Sequence, residues 1–230
     1  MSQDIQKVRL NTLKSNNQRQ FRAAVCLLVA FVFWTVALRH VDLQAIGPNA
    51  SVVGFATLNG AFHKLIGVHM SLYILTDWLS LVPFCVVLWF AVQGLFQWIT
   101  RKSLLKVDHS LLLLGGFYII VSTNYLFFEQ CIINFRPVLI CGSLEASYPS
   151  STTMLVMCVM ATAAMQANAR IKNCIVKRFV TITIAAFTVF MVIARLISGV
   201  HWLTDIIGGL LLSFGLVTGY YAFSRMYPDQ

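Results

Sequence analysis

The sequence contains few charged residues, and acidic residues are especially scarce. Asp, Glu, Lys and Arg make up 11% of the 230 residues, and Asp and Glu together number only 8. About 25% of the residues in ordinary soluble domains are charged. A soluble helical bundle also needs polar stripes on its outer helices, and the apolar segments of this chain lack them. These absences exclude an ordinary soluble domain.

Repeats, linkers and metal-binding patterns are also lacking. No repeat of 20–50 residues, low-complexity run or Pro/Ser-rich linker divides the chain, so we expect one domain. No C-x-x-C or His–Cys spacing typical of zinc sites occurs, and we predict neither a metal nor another cofactor. Cys131 and Cys141 share one predicted loop, where they either form a disulfide or remain free thiols.

Hydrophobic residues, by contrast, make up 58% of the chain. A bilayer-spanning helix needs roughly 17–25 mostly apolar residues, and six charge-free stretches approach or exceed this length. They cover residues 23–38, 78–100, 111–128, 148–169, 179–194 and 206–224. None alternates in the manner of a barrel strand. We therefore predict an all-α, polytopic membrane protein whose six transmembrane helices form one domain over residues 23–225.

The 17 Lys and Arg residues are unevenly distributed between the predicted loops. Twelve of them lie in the N-terminal tail and in the second and fourth loops, and a thirteenth, Arg225, directly follows the last apolar stretch. Since cytoplasmic loops are enriched in Lys and Arg, we predict that the tails 1–22 and 226–230 are cytoplasmic and that the chain lies in the plasma membrane, among its lipids. The net charge of +9 reflects this topology, and we predict no nucleic-acid partner. The oligomeric state stays open.

The longest predicted outer segment joins the first two spans. Within it, residues 52–70 mix apolar side chains with Asn59, His63, Lys64 and His69. This composition suits a helix lying in the membrane interface, where it would cover a lateral entrance for lipid. A packed loop that holds the first two spans together is an equally suitable interpretation.

Three polar groups lie at the same predicted outer boundary of the membrane. They are residues 134–137, 148–152 and 195–205. Ionisable residues in such a place are functional candidates by default. Arg136 and Arg195 carry planar donor forks that match phosphoryl oxygens. Each could instead be an interfacial anchor.

The second polar group begins a predicted helix. Ser150 and Ser151 follow Pro149, and proline is favoured at a first helical position. The free N–H groups of a helix start favour an anion, although a serine there often serves only as a cap. These residues therefore predict a phosphate-binding helix start.

His201 and Asp205 are four residues apart in the third group. If the last span begins near His201, both side chains lie on one helical face. Asp205 would then accept a hydrogen bond from one imidazole nitrogen and leave the other free as a nucleophile. Such a pair could also merely stabilise a helix.

The third group resembles a motif of the type 2 phosphatidic acid phosphatases, which are integral-membrane lipid phosphatases. Their signature reads K-x6-R-P, then P-S-G-H, then S-R-x5-H-x3-D. The last part matches from Arg195 to Asp205, and only its leading Ser is replaced, by Ala194. The first part keeps Arg136 and its proline, with Glu129 in the place of Lys.

The second part of the signature departs most. Pro149 and Ser150 are kept, while Ser151 and Thr152 replace Gly and His. In the family this His protonates the leaving oxygen, which a threonine cannot do near neutral pH. Glu145 or Tyr148 could replace the acid, a substrate with a stable leaving group could need none, or the chain is catalytically impaired, naturally or by engineering.

The resemblance implies a mechanism and assigns roles to residues. His201 would form a phosphohistidine and Asp205 would orient it. The phosphoryl group would be held by Arg136, Arg195, Ser150 and the backbone N–H of Ser151. Glu129 in place of Lys removes a positive charge, for which Lys64 could compensate only if the segment 52–70 covers the site.

We therefore expect a phosphatase acting on a lipid phosphate or diphosphate from the outer leaflet. An undecaprenyl-type diphosphate suits the missing acid, because it leaves as a lipid phosphate; phosphatidylglycerol phosphate and phosphatidic acid come next. Two other functions remain open. One is a phosphotransferase between lipids, and the other is a non-catalytic protein that binds lipid phosphates.

Overall fold

Eight α-helices make up most of the chain. The computed structural model describes the backbone of residues 2–226 and the side chains of residues 15–226. The helices are α1 (Ser2–Leu38), α2 (Ala56–Ile66), α3 (Met70–Leu79), α4 (Leu81–Arg101), α5 (His109–Gln130), α6 (Ser151–Arg170), α7 (Cys174–Ile197) and α8 (Leu203–Ser224). The described residues form no β-strand. Of the predicted C-terminal tail, 226–230, all but Met226 lies outside the described residues.

Six helical segments of the described chain are long and apolar enough to cross a membrane. They are Ser15–Leu38, Met70–Arg101, His109–Gln130, Ser151–Arg170, Cys174–Ile197 and Leu203–Ser224. The predicted all-α fold with six transmembrane helices is therefore confirmed. The helix that contains the first span starts as early as Ser2, well within the predicted tail 1–22.

The second span begins eight residues earlier than predicted. It consists of α3 and α4, which meet at Ser80. The predicted stretch started only after Asp77, because this residue is charged. In the structure its carboxylate lies 3.9 Å from a guanidinium nitrogen of Arg195 on α7. Because the charge faces a partner of opposite sign, the span extends past Asp77 to Met70.

α6 and α8, whose first residues belong to the second and third polar groups, are the most buried of the spans. Of the 18 most apolar consecutive residues of each span, 56% are buried inside the protein in α6 and 44% in α8, against 6–22% in the other spans. α8 packs against both α1 and α6. The approach to α1 is close at Gly215, where an added Cβ would lie 2.7 Å from Leu28 Cδ2. Small residues therefore bring α1 and α8 together.

The segment between the first two spans contains a short helix, α2, that packs on the start of α8. The Asn59 amide is fully buried and donates hydrogen bonds to the Gly54 carbonyl oxygen, at 2.8 Å, and to Thr204 Oγ1, at 2.9 Å. His63 Nε2 lies 3.2 Å from the Gly199 carbonyl oxygen. Leu65, in contrast, is 83% exposed. α2 is thus a helix that is packed against the bundle and exposes Leu65; its position in the membrane interface stays a prediction.

The cysteines make no disulfide. All six lie within the described residues and have free thiols, including Cys131 and Cys141. The alternative with two unpaired thiols is thus the one seen.

Candidate functional site

The three predicted polar groups meet at one end of the helix bundle. Asn134 Nδ2 donates to Asp205 Oδ1 at 3.3 Å, and the Ser150 N–H donates to the Asp205 carbonyl oxygen at 3.2 Å. These contacts join the loop before α6, the start of α6 and the start of α8. Segments about 70 residues apart in sequence therefore form one site.

His201 lies in the turn before α8 and is almost fully buried. Its Nδ1 lies 3.1 Å from the carbonyl oxygen of Ser147 and 3.0 Å from the Ser147 hydroxyl. A carbonyl oxygen only accepts, so Nδ1 carries the proton and Nε2 presents its lone pair. No side chain or backbone group of the described residues contacts Nε2 through a hydrogen bond. This is the arrangement that a nucleophilic imidazole requires.

The environment of His201 favours the neutral imidazole. Burial lowers the pKa of His201 well below its ordinary value, and the positive charges of Arg136 and Arg195 lower this pKa further. Both effects disfavour an additional positive charge on the ring. The lone pair on Nε2 is therefore available at neutral pH.

Asp205 does not contact His201 directly, which corrects the expected pair on one helical face. α8 begins at Leu203, so His201 precedes the helix. Asp205 Oδ2 instead accepts from the Trp202 N–H at 3.0 Å, as a helix-capping carboxylate does, and from the Ser147 hydroxyl at 2.5 Å. Ser147 therefore lies between the carboxylate and the imidazole and links them.

Arg136 and Arg195 converge on the ring of Tyr73. The Arg195 guanidinium carbon lies 4.7 Å from the ring centroid, and that of Arg136 lies 5.7 Å from it. Arg195 is 2% exposed and donates to Thr76 Oγ1 at 3.1 Å. Arg136 is 8% exposed, with its Nε 3.1 Å from a carboxylate oxygen of Glu145. The two arginines thus present two buried positive charges close to His201.

The hydrogen-bonding capacity of these three side chains is incompletely used. Among the described residues, seven buried side-chain nitrogen or oxygen atoms lack a hydrogen-bond partner. Four of the seven are Arg136 Nε and Nη1, Arg195 Nε and His201 Nε2. The 3.1 Å approach of Arg136 Nε to Glu145 is an ion pair whose angles do not make a hydrogen bond. Unpaired buried polar atoms are costly. The three arginine nitrogens among the four are donors, and their concentration here is what an anion-binding site provides.

The start of α6 contributes backbone donors to the same site. α6 begins at Ser151, no side chain caps it, and Ser150 is fully buried in the preceding position. Pro149 therefore lies two residues before the first helical position, which corrects the expectation that it occupies that position. The N–H groups of an uncapped helix start attract anions.

Thr152 faces a cavity of about 310 Å³ beside this helix start. Asp77, Ser80 and Tyr125 also line it, together with apolar side chains of α4, α5 and α6. A smaller pocket, lined by His201 and Ser147, adjoins the cavity and shares Ser151, Tyr125 and Met154 with it. The pocket of His201 and the cavity of Thr152 are therefore neighbours that share these three side chains.

The four residues predicted as possible contributors have different positions. Tyr148 is turned away, since its hydroxyl lies 2.7 Å from Thr35 Oγ1 of α1 and burial raises its pKa. Glu145 forms the ion pair with Arg136. Glu129 is exposed at the end of α5 and lines the small pocket. Lys64 is exposed on α2, and no contact of the described residues joins it to the site.

Five side chains of the site were assigned no role from the sequence. They are Tyr73, Thr76, Asp77, Asn134 and Ser147. Asn134 belongs to the first predicted polar group and Ser147 directly precedes the second, and these positions are the only signal that the sequence offers. Tyr73, Thr76 and Asp77 come from α3, which carries no motif.

Comparison with known proteins agrees with this fold. The sequence model of the PAP2 superfamily matches residues 109–228, more than half of the chain. The chain belongs to the PAP2 superfamily. No curated protein matches its sequence.

One solved structure shares the fold. It is described as the crystal structure of the first transmembrane PAP2 type phosphatidylglycerolphosphate phosphatase from Bacillus subtilis. The two chains are 20% identical, with a TM-score of 0.62 over 89% of this chain and 97% of the other. At this identity the likeness extends to the fold alone.

Proposed function

We propose that this chain is a lipid phosphatase that releases phosphate from a lipid phosphate or diphosphate. The observation that carries the proposal is the cluster of unpaired buried atoms on Arg136, Arg195 and His201. Two guanidinium groups and an uncapped helix start provide positive potential for a phosphoryl group. The lone pair on His201 Nε2 provides a nucleophile beside them.

The reaction proceeds in two displacements. His201 Nε2 attacks the phosphorus, and the bond from phosphorus to the lipid oxygen breaks with its electron pair on that oxygen. Arg136, Arg195, Ser150 and the Ser151 N–H hold the phosphoryl oxygens. Water then attacks the phosphohistidine, the P–N bond breaks, and phosphate is released. Catalysis of this kind consists mostly of positioning and charge stabilisation.

Thr152 favours a substrate whose leaving group needs no proton. An undecaprenyl-type diphosphate leaves as a lipid phosphate, which is far more stable than the alkoxide left by phosphatidic acid or phosphatidylglycerol phosphate. The apolar side chains of the cavity beside Thr152, among them Phe84, Val121 and Leu155, suit the first part of a lipid chain. We therefore propose a lipid diphosphate as the preferred substrate.

The distribution of basic residues supports an active site on the extracytoplasmic face of the plasma membrane. Arg39, Lys64, Arg136 and Arg195 are the four basic residues assigned to the outer side. Two of them are the arginines of the site. The positive-inside rule therefore supports an outward-facing site.

Phosphate release by the purified full-length chain in detergent micelles tests the proposal. We expect release from a polyprenyl diphosphate and slower release from phosphatidic acid. If the terminal phosphate of a labelled diphosphate is transferred to an added lipid and no free phosphate is released, the chain is instead a phosphotransferase. Tight binding of the lipid with no turnover would contradict both and identify a binding protein.

Replacing Ser147 with alanine is expected to lower kcat about 10–100-fold with little change in KM. The variant removes a hydrogen bond to the Asp205 carboxylate, and such bonds to charged groups contribute about 1.5–3 kcal/mol. Ser147 acts by positioning His201, so substrate binding by the arginines should persist. Steady-state kinetics of S147A, with a melting curve, measure this effect.

The matched control for Ser147 is S143A in the same loop, where the side chain is exposed. S143A should behave as the wild-type chain. An unchanged kcat in S147A would show that the link between His201 and Asp205 is dispensable.

The pH dependence of kcat/KM should reflect the lowered pKa of His201. The nucleophile is the neutral imidazole, and a lowered pKa keeps it neutral to lower pH. The acid limb of the profile should therefore lie below the ordinary histidine value of 6.5. In R136Q the limb should move to higher pH, because one of the positive charges that lower the pKa is removed. A limb that does not move would contradict this electrostatic account.

A further inference from the structure

The cavity beside Thr152 contains a carboxylate that no part of the PAP2 signature includes. Asp77 and Thr152 both line this space of about 310 Å³, although they come from α3 and α6. Tyr125 is the other titratable side chain in its lining. A proton-transferring group is therefore present where Thr152 provides none.

Glu129 lines the smaller pocket of His201 rather than this cavity. Three further carboxyl or phenol groups near the site are held by other partners. Glu145 forms its ion pair with Arg136, and the Tyr148 hydroxyl contacts Thr35. Asp205 accepts hydrogen bonds from Ser147, Trp202 and Asn134.

Asp77, by contrast, is only loosely held. Its carboxylate lies 3.9 Å from Arg195 Nη2, beyond hydrogen-bond distance, whereas Arg195 Nη1 donates to Thr76 at 3.1 Å. The Asp77 side chain is 60% exposed, so other protein groups do not enclose it. It thus retains free acceptor positions beside the arginine that would hold the phosphoryl group.

We propose that Asp77 is the general base of the second displacement, a role that rests on the phosphatase function proposed above. The Asp77 carboxylate takes a proton from a water molecule as the water oxygen bonds to the phosphorus of phosphohistidine 201. The P–N bond breaks, and its electron pair returns to His201 Nε2. The products are inorganic phosphate, the free imidazole and a protonated Asp77, which then loses its proton to solvent.

This assignment is consistent with the loss of the histidine at position 152. A lipid phosphate leaves without a proton, so the first displacement needs no acid. The second displacement still needs a base to activate water, and a carboxylate accepts such a proton. Asp77 would therefore supply the one proton transfer that a diphosphate substrate requires.

A cycle of four full-length chains tests the proposal: wild type, D77N, T152H and the double variant. D77N should lower the steady-state release of phosphate from a polyprenyl diphosphate about 100-fold, which is typical of a lost acid–base group. When T152H is compared with the double variant, the same change should lower phosphate release by less than about threefold. The reason is that the introduced imidazole can activate the water.

Pre-steady-state kinetics distinguish two roles for Asp77: a general base and a structural partner of Arg195. D77N should form phosphohistidine normally and hydrolyse it slowly, giving a burst of lipid phosphate equal to the enzyme concentration. A matched control is D42N, since Asp42 is a carboxylate of the outer segment that bonds to Gln44 and Thr57 instead. D42N should show wild-type rates and no added burst.

The alternative outcomes are distinguishable. An equal loss in both backgrounds without a burst would overturn the role of Asp77 and leave the phosphatase function intact. No phosphate release by the wild-type chain and by T152H would overturn the phosphatase function and the role of Asp77 with it.

Discussion

Replacing His201 with alanine is expected to reduce phosphate release by more than about 10³-fold, since removing a catalytic nucleophile typically costs at least this much. The reason is that His201 Nε2 is the nucleophile in the proposed reaction, and no other nucleophilic side chain occupies its position. Binding should persist, because Arg136 and Arg195 hold the phosphoryl group independently of the imidazole. The initial rate of phosphate release, together with the affinity for a non-hydrolysable lipid diphosphate, measures both parts.

The control for this variant is H40A. His40 is exposed in the segment after α1 and has no role in the proposed reaction, so its loss should not change the rate. Equal rates for H201A and the wild-type chain would exclude a phosphohistidine at this position. Loss of folding is tested separately by the melting temperature.

The second large effect is expected from Thr152→His. An imidazole at this position can protonate the leaving oxygen, and general acid catalysis typically contributes 10²–10⁴-fold, so we expect a gain of about 100-fold with phosphatidic acid. The gain should be much smaller with a polyprenyl diphosphate, whose leaving group needs no proton. The ratio of kcat/KM for the two lipids, measured in both chains, reports the difference.

Thr152→Val is the matched control, because it keeps the shape of threonine and removes its hydroxyl. This variant should resemble the wild-type chain, since the hydroxyl transfers no proton in the proposed reaction. An absent gain in T152H with both lipids would show that position 152 does not reach the leaving oxygen. It would also remove the reason for preferring a diphosphate.

Most of the fold could be predicted because the bilayer makes long apolar runs nearly unambiguous. Four of the six spans begin and end within five residues of the predicted positions, whereas the first and the second each begin eight residues earlier. The second span was predicted to begin too late because Asp77 interrupts the apolar run. Its partner, Arg195, is 118 positions away in the sequence, and no local pattern reveals such a pairing.

The convergence of the three polar groups could be predicted because span topology places them at one membrane boundary. The contacts within the site could not. The predicted contact of His201 with Asp205 assumed that both belong to one helix, whereas α8 begins between them and Ser147 links them. Ser147 and Tyr73 act through long-range contacts; the sequence around Tyr73 carries no sign of a role, and that around Ser147 offers only its proximity to Pro149.

The most direct test of the central claim is to trap the covalent intermediate. A lipid diphosphate labelled in its terminal phosphate is mixed with the purified chain, and the reaction is quenched in alkali, in which phosphohistidine is stable. We predict one label per chain at most, located by peptide mapping at His201 and absent from H201A. Phosphate release that proceeds without labelling of the chain, or with the label on another residue, would contradict the proposed nucleophile.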